Sequence, residues 1–135
     1  MKTPTKTTKH SVYNLNYHIV LVTKFRYKVI IGDIETYVKE EIPKICQQYG
    51  WEILALECMP EHVHLFVSAP PTVAPVTINS TIKSLLAIGV FRVFPSLKSK
   101  KFWGSGLWSD GTYYGSVGCV SAEIIKRYIE NQKTA

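Results

Sequence analysis

Apolar residues recur at two different spacings along the chain, and these spacings predict a mixture of strands and helices. Tyr13–Lys24 is rich in aromatic and β-branched residues, which predicts a first strand. Asp33–Tyr49 carries its apolar residues at helical spacing, with Asp33 as the expected N-cap and Gly50 as the stop. Pro43 lies inside this segment and predicts a kink or a split in the helix.

The middle of the chain predicts a strand hairpin, a second helix and a loop. Trp51–Cys58 and His62–Ala69 are apolar runs, and the gap between them has the length of a hairpin turn. Ile78–Phe94 returns to helical spacing, and Pro95 is expected to end that helix. Ser96–Gly111, which contains several lysines, has the composition of a loop.

The remaining residues predict one more strand over Thr112–Val117 and one more helix over Ser121–Lys133. The full order is β-α-β-β-α-β-α, and a split pair of β-α-β units around a hairpin is the ferredoxin-like, or RRM-like, plan. We therefore expect an α+β fold with a mainly antiparallel sheet, helices on one face and an extra C-terminal helix. Residues 1–10 are expected to form a flexible basic arm, and residues 11–135 a single domain.

Composition narrows the class of protein. Hydrophobic residues make up 46% of the chain, which is enough for a core and argues against wholesale disorder. The formal net charge of +6 favours a polyanionic partner such as nucleic acid, although an ordinary basic cytosolic protein has a similar balance. Cys46, Cys58 and Cys119 form no CxxC pair, which argues against a zinc ribbon and for reduced thiols. No stretch has the length of a signal peptide or a membrane span, so we expect a cytosolic protein with no membrane partner.

Two short patterns carry candidate chemistry. His62 and His64 are two residues apart on a predicted strand, so both imidazoles point to one face and can hold one divalent ion. The alternative is two unrelated strand histidines. Tyr128 and Gln132 are four residues apart on the last predicted helix and share a face, although a packed tyrosine beside a solvated glutamine gives the same spacing. His18, on the first strand, is expected to be a structural histidine.

Taken together, the two patterns resemble the transposases of IS200-like insertion sequences, which are the smallest HUH endonucleases. The resemblance covers the chain from about Tyr13 to Lys133. It is carried by Tyr17-His18-Ile19-Val20, Met59-Pro60-Glu61-His62-Val63-His64-Leu65, Lys83, Phe94-Pro95, Leu107-Trp108-Ser109 and Tyr128-Ile129-Glu130-Asn131-Gln132. One departure is Lys83-Ser84-Leu85-Leu86, where relatives commonly carry a glycine and small polar residues after the lysine.

The resemblance implies a complete set of roles. His62, His64 and Gln132 would be the ligands of Mg²⁺ or Mn²⁺, and Tyr128 would be the nucleophile. The implied activity is an endonuclease and strand transferase that cuts and rejoins single-stranded DNA at hairpin-bearing element ends. It proceeds through a 5′-phosphotyrosine and needs no ATP. Family members are homodimers whose active sites combine the histidines of one subunit with the tyrosine helix of the other.

Basic and aromatic residues supply candidates for DNA contacts, since single-strand recognition combines cationic grooves with aromatic platforms. The candidates for phosphate contacts are Lys24, Arg26, Lys28, Lys83, Arg92, Lys98, Lys100 and Lys101. Phe102 and Trp103 are the expected base-stacking residues, whereas Trp51 and Trp108 are assigned to packing. Any single lysine on this list could equally lie on a solvated face.

Two alternatives stay open at this point. The chain could be a domesticated relative that acts on chromosomal hairpin repeats, or a catalytically silent ferredoxin-like module that binds nucleic acid. The joint presence of the histidine pair and the Tyr128–Gln132 pair argues against the silent module, because binding alone needs neither. In each case we expect a protein of the prokaryotic cytosol that associates with the nucleoid.

Overall fold

The structure is a computed structural model, and it describes residues 6–7, 12–13, 15–102, 105–111 and 113–116. The elements in these ranges are β1 (Lys6–Thr7), β2 (Val12–Tyr13), β3 (Asn16–Val22), a 3-10 turn (Lys24–Arg26), α1 (Gly32–Tyr49), β4 (Glu52–Met59), β5 (His62–Ser68), α2 (Pro75–Val93), α3 (Pro95–Lys100) and β6 (Tyr113–Ser116). The predicted final helix over Ser121–Lys133 lies outside the described residues.

The four longer strands form one sheet in the order β4-β5-β3-β6, and every neighbouring pair is antiparallel. With the two long helices between them, this is the β-α-β-β-α-β order of a ferredoxin-like fold, so the predicted fold class is confirmed. β1 and β2 pair in a separate two-stranded ladder. Part of the segment predicted as a basic arm is therefore a short strand.

The core lies on one face of this sheet, under α1 and α2. Alternate residues of the central strands point into it, as the two-residue period of a strand requires. The fully buried members from β3 and β5 are Ile19, Leu21, Val63, Leu65 and Val67, and those from the helices are Ile42, Ile78, Ile82, Leu86 and Val90. The opposite face of β3 and β5 also contains buried residues, because Val20 and Val22 are fully buried there.

β4 contains a register shift between Ile53 and Ala55, where the strand has one more residue than its partner β5. Beyond this bulge Leu56 lies opposite Leu65, and Glu57 lies opposite His64. Such a bulge adds one residue to one strand and changes which side chains face the partner.

Helix boundaries differ from the prediction where prolines and caps are involved. α1 begins at Gly32 with Ile31 as its cap, and no side chain caps it, so the assignment of Asp33 as N-cap was wrong. α1 runs through Pro43 without splitting and ends at Gly50, which has a φ of 76° as a left-handed stop requires. Asp33 lies in the first turn instead, where its charge interacts favourably with the helix dipole.

Pro75 and Pro95 each begin a helix. α2 starts at Pro75, three residues before the predicted start, and ends at Val93, which confirms the predicted end before Pro95. α3 runs from Pro95 to Lys100, so the prediction of a loop was wrong for the first residues of Ser96–Gly111. Proline fits the first helical turn because its missing N–H has no helical partner there, and its fixed φ already suits the helix. The same residue type therefore serves both purposes, and spacing alone does not separate them.

α2 is unusually apolar. Among the helices that the structure describes, it alone is long and apolar enough to cross a membrane by length and composition. Ile78, Ile82 and Leu86 on its inner side are fully buried in the core. Packing in the core of the domain therefore accounts for the apolar residues on the inner side of α2.

At Gly89, the backbone of α2 lies close to the Tyr37 side chain of α1. A Cβ at Gly89 would overlap the hydroxyl of Tyr37 and lie 3.0 Å from its Cζ atom. The Tyr37 ring is also held edge-on to Phe94, with centroids 6.1 Å apart. The close approach of the α2 backbone to the Tyr37 ring therefore depends on the absence of a side chain at Gly89.

We expect Gly89→Ala to destabilise the fold by about 1 kcal/mol. Overpacking costs about 1–3 kcal/mol, and the better helix propensity of alanine returns about 1 kcal/mol of it. Urea denaturation measures the difference. In a Tyr37→Phe background the clashing hydroxyl is gone, so the same substitution should cost less there. Equal destabilisation in both backgrounds would contradict this account of the helix crossing.

Candidate active site

The candidate site lies on the sheet face opposite the core helices. On β5, Val63 is fully buried while His62 and His64 are partly exposed on the other face. The register places His62 opposite Val22, and His64 opposite Val20 of β3. Side chains at opposite positions of an antiparallel pair share a face. The structure therefore brings both predicted ligands to one side of the sheet.

His18 joins this face from β3, because it lies opposite Phe66. Its Nδ1 atom is 2.8 Å from Nε2 of His64, so one ring donates a hydrogen bond and the other accepts it. The His18 ring also stacks on Phe66, with centroids 4.3 Å apart. His18, which was expected to be a structural histidine, is thus in direct contact with a predicted metal ligand.

Two carboxylates lie behind the histidine rings. Oε1 of Glu61 accepts a hydrogen bond from Nδ1 of His62 at 2.9 Å. Glu57, opposite His64 on β4, has its Oε1 atom 3.9 Å from Nδ1 of His64. A carboxylate that accepts the Nδ1 hydrogen bond fixes the ring and leaves the Nε2 lone pair for a cation, which is the arrangement at His62. Nε2 of His64 is instead hydrogen-bonded with Nδ1 of His18, so a cation at His64 would take the place of that hydrogen bond. Sequence reasoning did not single out either glutamate.

Burial favours the neutral form of two imidazoles on this face. Desolvation lowers the pKa of His64, Glu57 acts in the opposite direction, and His62 lowers it further. Desolvation also lowers the pKa of His18, with a second contribution from His64. Because a neutral imidazole is the form that binds a metal, the direction of the His64 shift favours metal binding.

The donor set fits a divalent cation but is incomplete in the described part of the chain. Two neutral imidazole nitrogens with carboxylates behind them match a metal site in which positions remain for other ligands. Among residues 15–102, 105–111 and 113, no cluster of three or more His, Cys, Asp or Glu side chains could hold a metal by itself. Tyr128 and Gln132 lie outside the described residues.

Most basic candidates for DNA contacts lie on the surface. The exposed ones are Lys28, Arg92, Lys100 and Lys101, and the partly buried ones are Lys24, Arg26 and Lys98. Nζ of Lys24 is 3.8 Å from the exposed carboxylate of Asp110. Nζ of Lys98 donates a hydrogen bond to the Ser105 carbonyl and lies 4.9 Å from the centroid of the Phe91 ring. Their contacts with DNA stay predictions.

Lys83 differs from the other lysines because it holds a loop. Its Nζ atom donates to the carbonyls of Ser109 and Gly111 at 3.0 and 3.1 Å. In return, Nε1 of Trp108 donates to the Lys83 carbonyl at 3.1 Å. Burial lowers the pKa of Lys83, and Asp110 acts against that shift. Lys83 thus fixes the segment that leads into β6, and a contact of this residue with DNA stays a prediction.

The expectation that Phe102 stacks on DNA bases was wrong. Its side chain is 0% exposed and packs between Tyr27 and Phe91, at centroid distances of 5.4 and 5.7 Å. A buried ring has no face left for a nucleobase. Trp103 lies outside the described residues. Trp51 and Trp108 are buried, which confirms their assignment to packing.

Comparison with known families supplies the decisive observation. Residues 11–132 match the family described as "Transposase IS200 like". The chain belongs to the IS200-like transposase family. The match spans the histidine face and also reaches the segment that carries Tyr128 and Gln132.

Individual relatives of this IS200-like transposase agree. It is 35% identical over 121 residues to the ISDra2 transposase TnpA of Deinococcus radiodurans. The aligned residues cover 90% of this chain and 86% of that protein. It is 28% identical over 131 residues to the transposase of the insertion sequence element IS200 from Salmonella typhimurium, covering 95% and 86% of the two chains.

Solved structures agree with the fold of this IS200-like transposase. A crystal structure of a candidate transposase from Deinococcus radiodurans R1 superposes with a TM-score of 0.86 at 34% identity, covering 96% of this chain and 99% of the other. A REP-associated tyrosine transposase bound to a REP hairpin superposes with a TM-score of 0.57 at 12% identity, over 92% and 69% of the chains. The second likeness concerns the fold alone.

Proposed function

We propose that this IS200-like transposase cuts and rejoins single-stranded DNA at hairpin-bearing ends, through a covalent bond to Tyr128. The observation that carries the proposal is the pair His62 and His64 on one face, with Glu61 and Glu57 behind their rings. This arrangement occurs in a member of a transposase family. Membership of a transposase family supports DNA as the substrate class.

His62, His64 and Gln132 would hold Mg²⁺ or Mn²⁺. All three donors are neutral, so the ion would keep its full charge and supply Lewis-acid polarisation of the scissile phosphate. The protein's own part is orientation: Glu61 fixes the His62 ring by its 2.9 Å contact at Nδ1, and the β-ladder fixes the spacing of the two histidines.

Tyr128 is the proposed nucleophile. Its phenol has a usual pKa of about 10, so the hydroxyl must lose its proton to solvent or a base as it attacks. The Tyr128 Oη–phosphorus bond forms, the bond from phosphorus to the 3′ oxygen breaks, and that oxygen takes up a proton. The products are a 5′-phosphotyrosine and a free 3′-hydroxyl. A second 3′-hydroxyl reverses the step, so rejoining needs no ATP.

The direct test is a covalent trapping assay. The protein is incubated with MnCl₂ and a labelled single strand from the end of the element that encodes it, and the mixture is resolved under denaturing conditions. We expect a denaturation-resistant protein–DNA adduct that disappears with EDTA or with a fully duplex strand. Hairpin binding without any adduct, over a series of metals and end sequences, would favour the catalytically silent alternative.

We propose further that the active protein is a homodimer with composite sites, working in the cytosol at the nucleoid. A mixture of two inactive variants tests the sharing of sites between subunits. In a mixed dimer of His64→Ala and Tyr128→Phe subunits, one intact site forms only if histidines and tyrosine come from different subunits. After random subunit exchange about half of the dimers are mixed, and each has one intact site of two, so we expect the mixture to regain about a quarter of the adduct of the parent dimer. No recovery from a verified mixed dimer would place both groups in one subunit.

A further inference from the structure

The turn after β3 has an unfavourable backbone conformation at two consecutive residues. Phe25 and Arg26 both have a φ of 55°, and neither is glycine. L-residues rarely adopt this left-handed region because Cβ approaches the following carbonyl oxygen, and bulky residues avoid it most. Glycine would make the same turn without strain. The need to turn the chain therefore does not explain why an aromatic residue occupies this position.

Hydrogen bonds from three separate segments impose this conformation. The Thr23 hydroxyl donates to the Tyr27 carbonyl at 2.7 Å, which closes the turn on itself. The Lys24 amide donates to the Leu107 carbonyl at 2.8 Å, and the Thr23 amide donates to the Glu61 carbonyl at 3.0 Å. Strained residues that are held in this way cluster at functional sites, where the strain serves to place a side chain.

The side chain that this turn places outward is the Phe25 ring. It is 45% exposed, whereas the neighbouring aromatic Phe102 is completely buried. Its described ring contacts are peripheral: Nζ of Lys24 lies 5.7 Å from its centroid, and the Tyr27 ring lies 5.6 Å away at a tilt. A large apolar ring is therefore presented to solvent on a rigid support.

The position of the turn is next to the histidine face. β3 ends at Val22, which lies opposite His62, and the next residue is bonded to the carbonyl of Glu61. Phe25 follows Val22 by three positions, so their Cα atoms are at most about 11 Å apart. A DNA strand with a phosphate at the histidines can therefore reach the Phe25 ring with a nearby base.

The charge around the ring suits a phosphate backbone. Lys24, Arg26 and Lys28 belong to the same turn, and Nζ of Lys101 lies 5.2 Å from the centroid of Tyr27. Asp110 opposes them through its 3.8 Å pair with Lys24. Aromatic rings amid cations are how proteins hold unpaired nucleotides, because every base has a face that can stack.

We propose that Phe25 is a stacking platform for an unpaired base adjacent to the cleaved phosphate, and that Lys24, Arg26 and Lys28 contact the flanking phosphates. This inference rests on the proposed function, because it places a single DNA strand on the histidine face. Phe25 thereby takes the role that the sequence analysis gave to Phe102. It selects for unpaired DNA, since a base within a duplex has no free face.

The test uses element-end single strands that carry one 2-aminopurine, placed in turn at each position around the cleavage point, in EDTA so that no cleavage occurs. With the parent protein, we expect one position at which fluorescence is quenched on binding. Phe25→Ala should abolish that quenching and raise Kd roughly 5- to 100-fold. Phe25→Trp should retain both the quenching and the parent Kd. An abasic nucleotide at the same position should weaken DNA binding by the parent protein but leave the affinity of Phe25→Ala unchanged.

Two further variants separate stacking from folding. Phe25→Gly suits the positive φ and should keep or raise thermal stability, yet it should lose binding as Phe25→Ala does. Tyr49→Ala removes a similarly exposed ring, 47% exposed, at the end of α1 and should bind normally. Normal binding by Phe25→Gly would overturn the inference. An equal loss of affinity for the abasic and the intact strand on Phe25→Ala substitution would also overturn it.

The trapping assay on the same preparations keeps the two proposals apart. Adduct formation that is independent of Phe25 would refute the stacking platform and leave the proposed chemistry standing. Phe25-dependent quenching without any adduct would support the stacking platform and refute the proposed chemistry.

Discussion

Replacing Tyr128 with phenylalanine is expected to abolish the covalent protein–DNA adduct while leaving hairpin binding intact. The substitution removes only the hydroxyl that is proposed to attack phosphorus and keeps the aromatic ring. Loss of a nucleophile lowers the rate by roughly 10⁴-fold or more, because the remaining groups can only bind and polarise the substrate. The measurements are gel-resolved adduct and, separately, hairpin affinity by a mobility shift.

Tyr49→Phe is the matched control for this experiment. It removes a hydroxyl from an exposed tyrosine at the end of α1 and should leave the adduct unchanged. An adduct that survives in Tyr128→Phe would remove Tyr128 from the nucleophilic role. Loss of both adduct and hairpin affinity would instead show that the hydroxyl serves binding, against the proposed chemistry.

His64→Ala is the second change with a large expected effect, because it removes one of the two proposed ligands that the fold places together. Lewis-acid stabilisation of a phosphate is worth several kcal/mol, so cleavage should fall by roughly 10²- to 10³-fold. Hairpin affinity measured in EDTA should change little, since the lysines proposed to contact phosphate are untouched. A manganese titration of cleavage measures the loss of metal affinity directly.

His18→Phe separates the ligand from its neighbour. Phenylalanine can keep the stacking on Phe66 but lacks the Nδ1 atom that contacts His64. If His64 is the ligand and His18 only orients it, His18→Phe should retain cleavage at saturating manganese, whereas His64→Ala should not. Full cleavage by His64→Ala at ordinary metal concentrations would exclude His64 as a ligand.

The fold was predictable because its main signals are local. Strand alternation around Val63 and Leu65 and helical spacing in α1 and α2 each reflect one buried face, and the order of the elements then limits the topology. The prolines at positions 75 and 95 were harder. Proline both ends and begins helices. Which of the two occurs depends on how the following turn packs, and the spacing of apolar residues near the proline does not reveal that packing.

The candidate site was predictable only in part. The HxH spacing placed His62 and His64 on one face, since that follows from strand geometry. The contacts of His18 and Glu57 depend on the register between strands that are distant in sequence, and a single chain pattern does not fix that register. Phe102 was misassigned because its lysine-rich neighbours suggested a surface, whereas its ring fills the core.

The bulge at Ile53–Ala55 has a consequence for the chemistry several residues away. If the same residues paired as a regular ladder from Ile53 onward, Leu56 would lie opposite His64, and Glu57 would lie opposite Val63, whose side chain points into the core. The bulge thus absorbs one residue and restores the alternation that keeps the Glu57 carboxylate on the histidine face. A one-residue deletion at the bulge would leave a regular ladder with Glu57 still opposite His64, whereas a residue inserted after Ala55 would displace the carboxylate by one position.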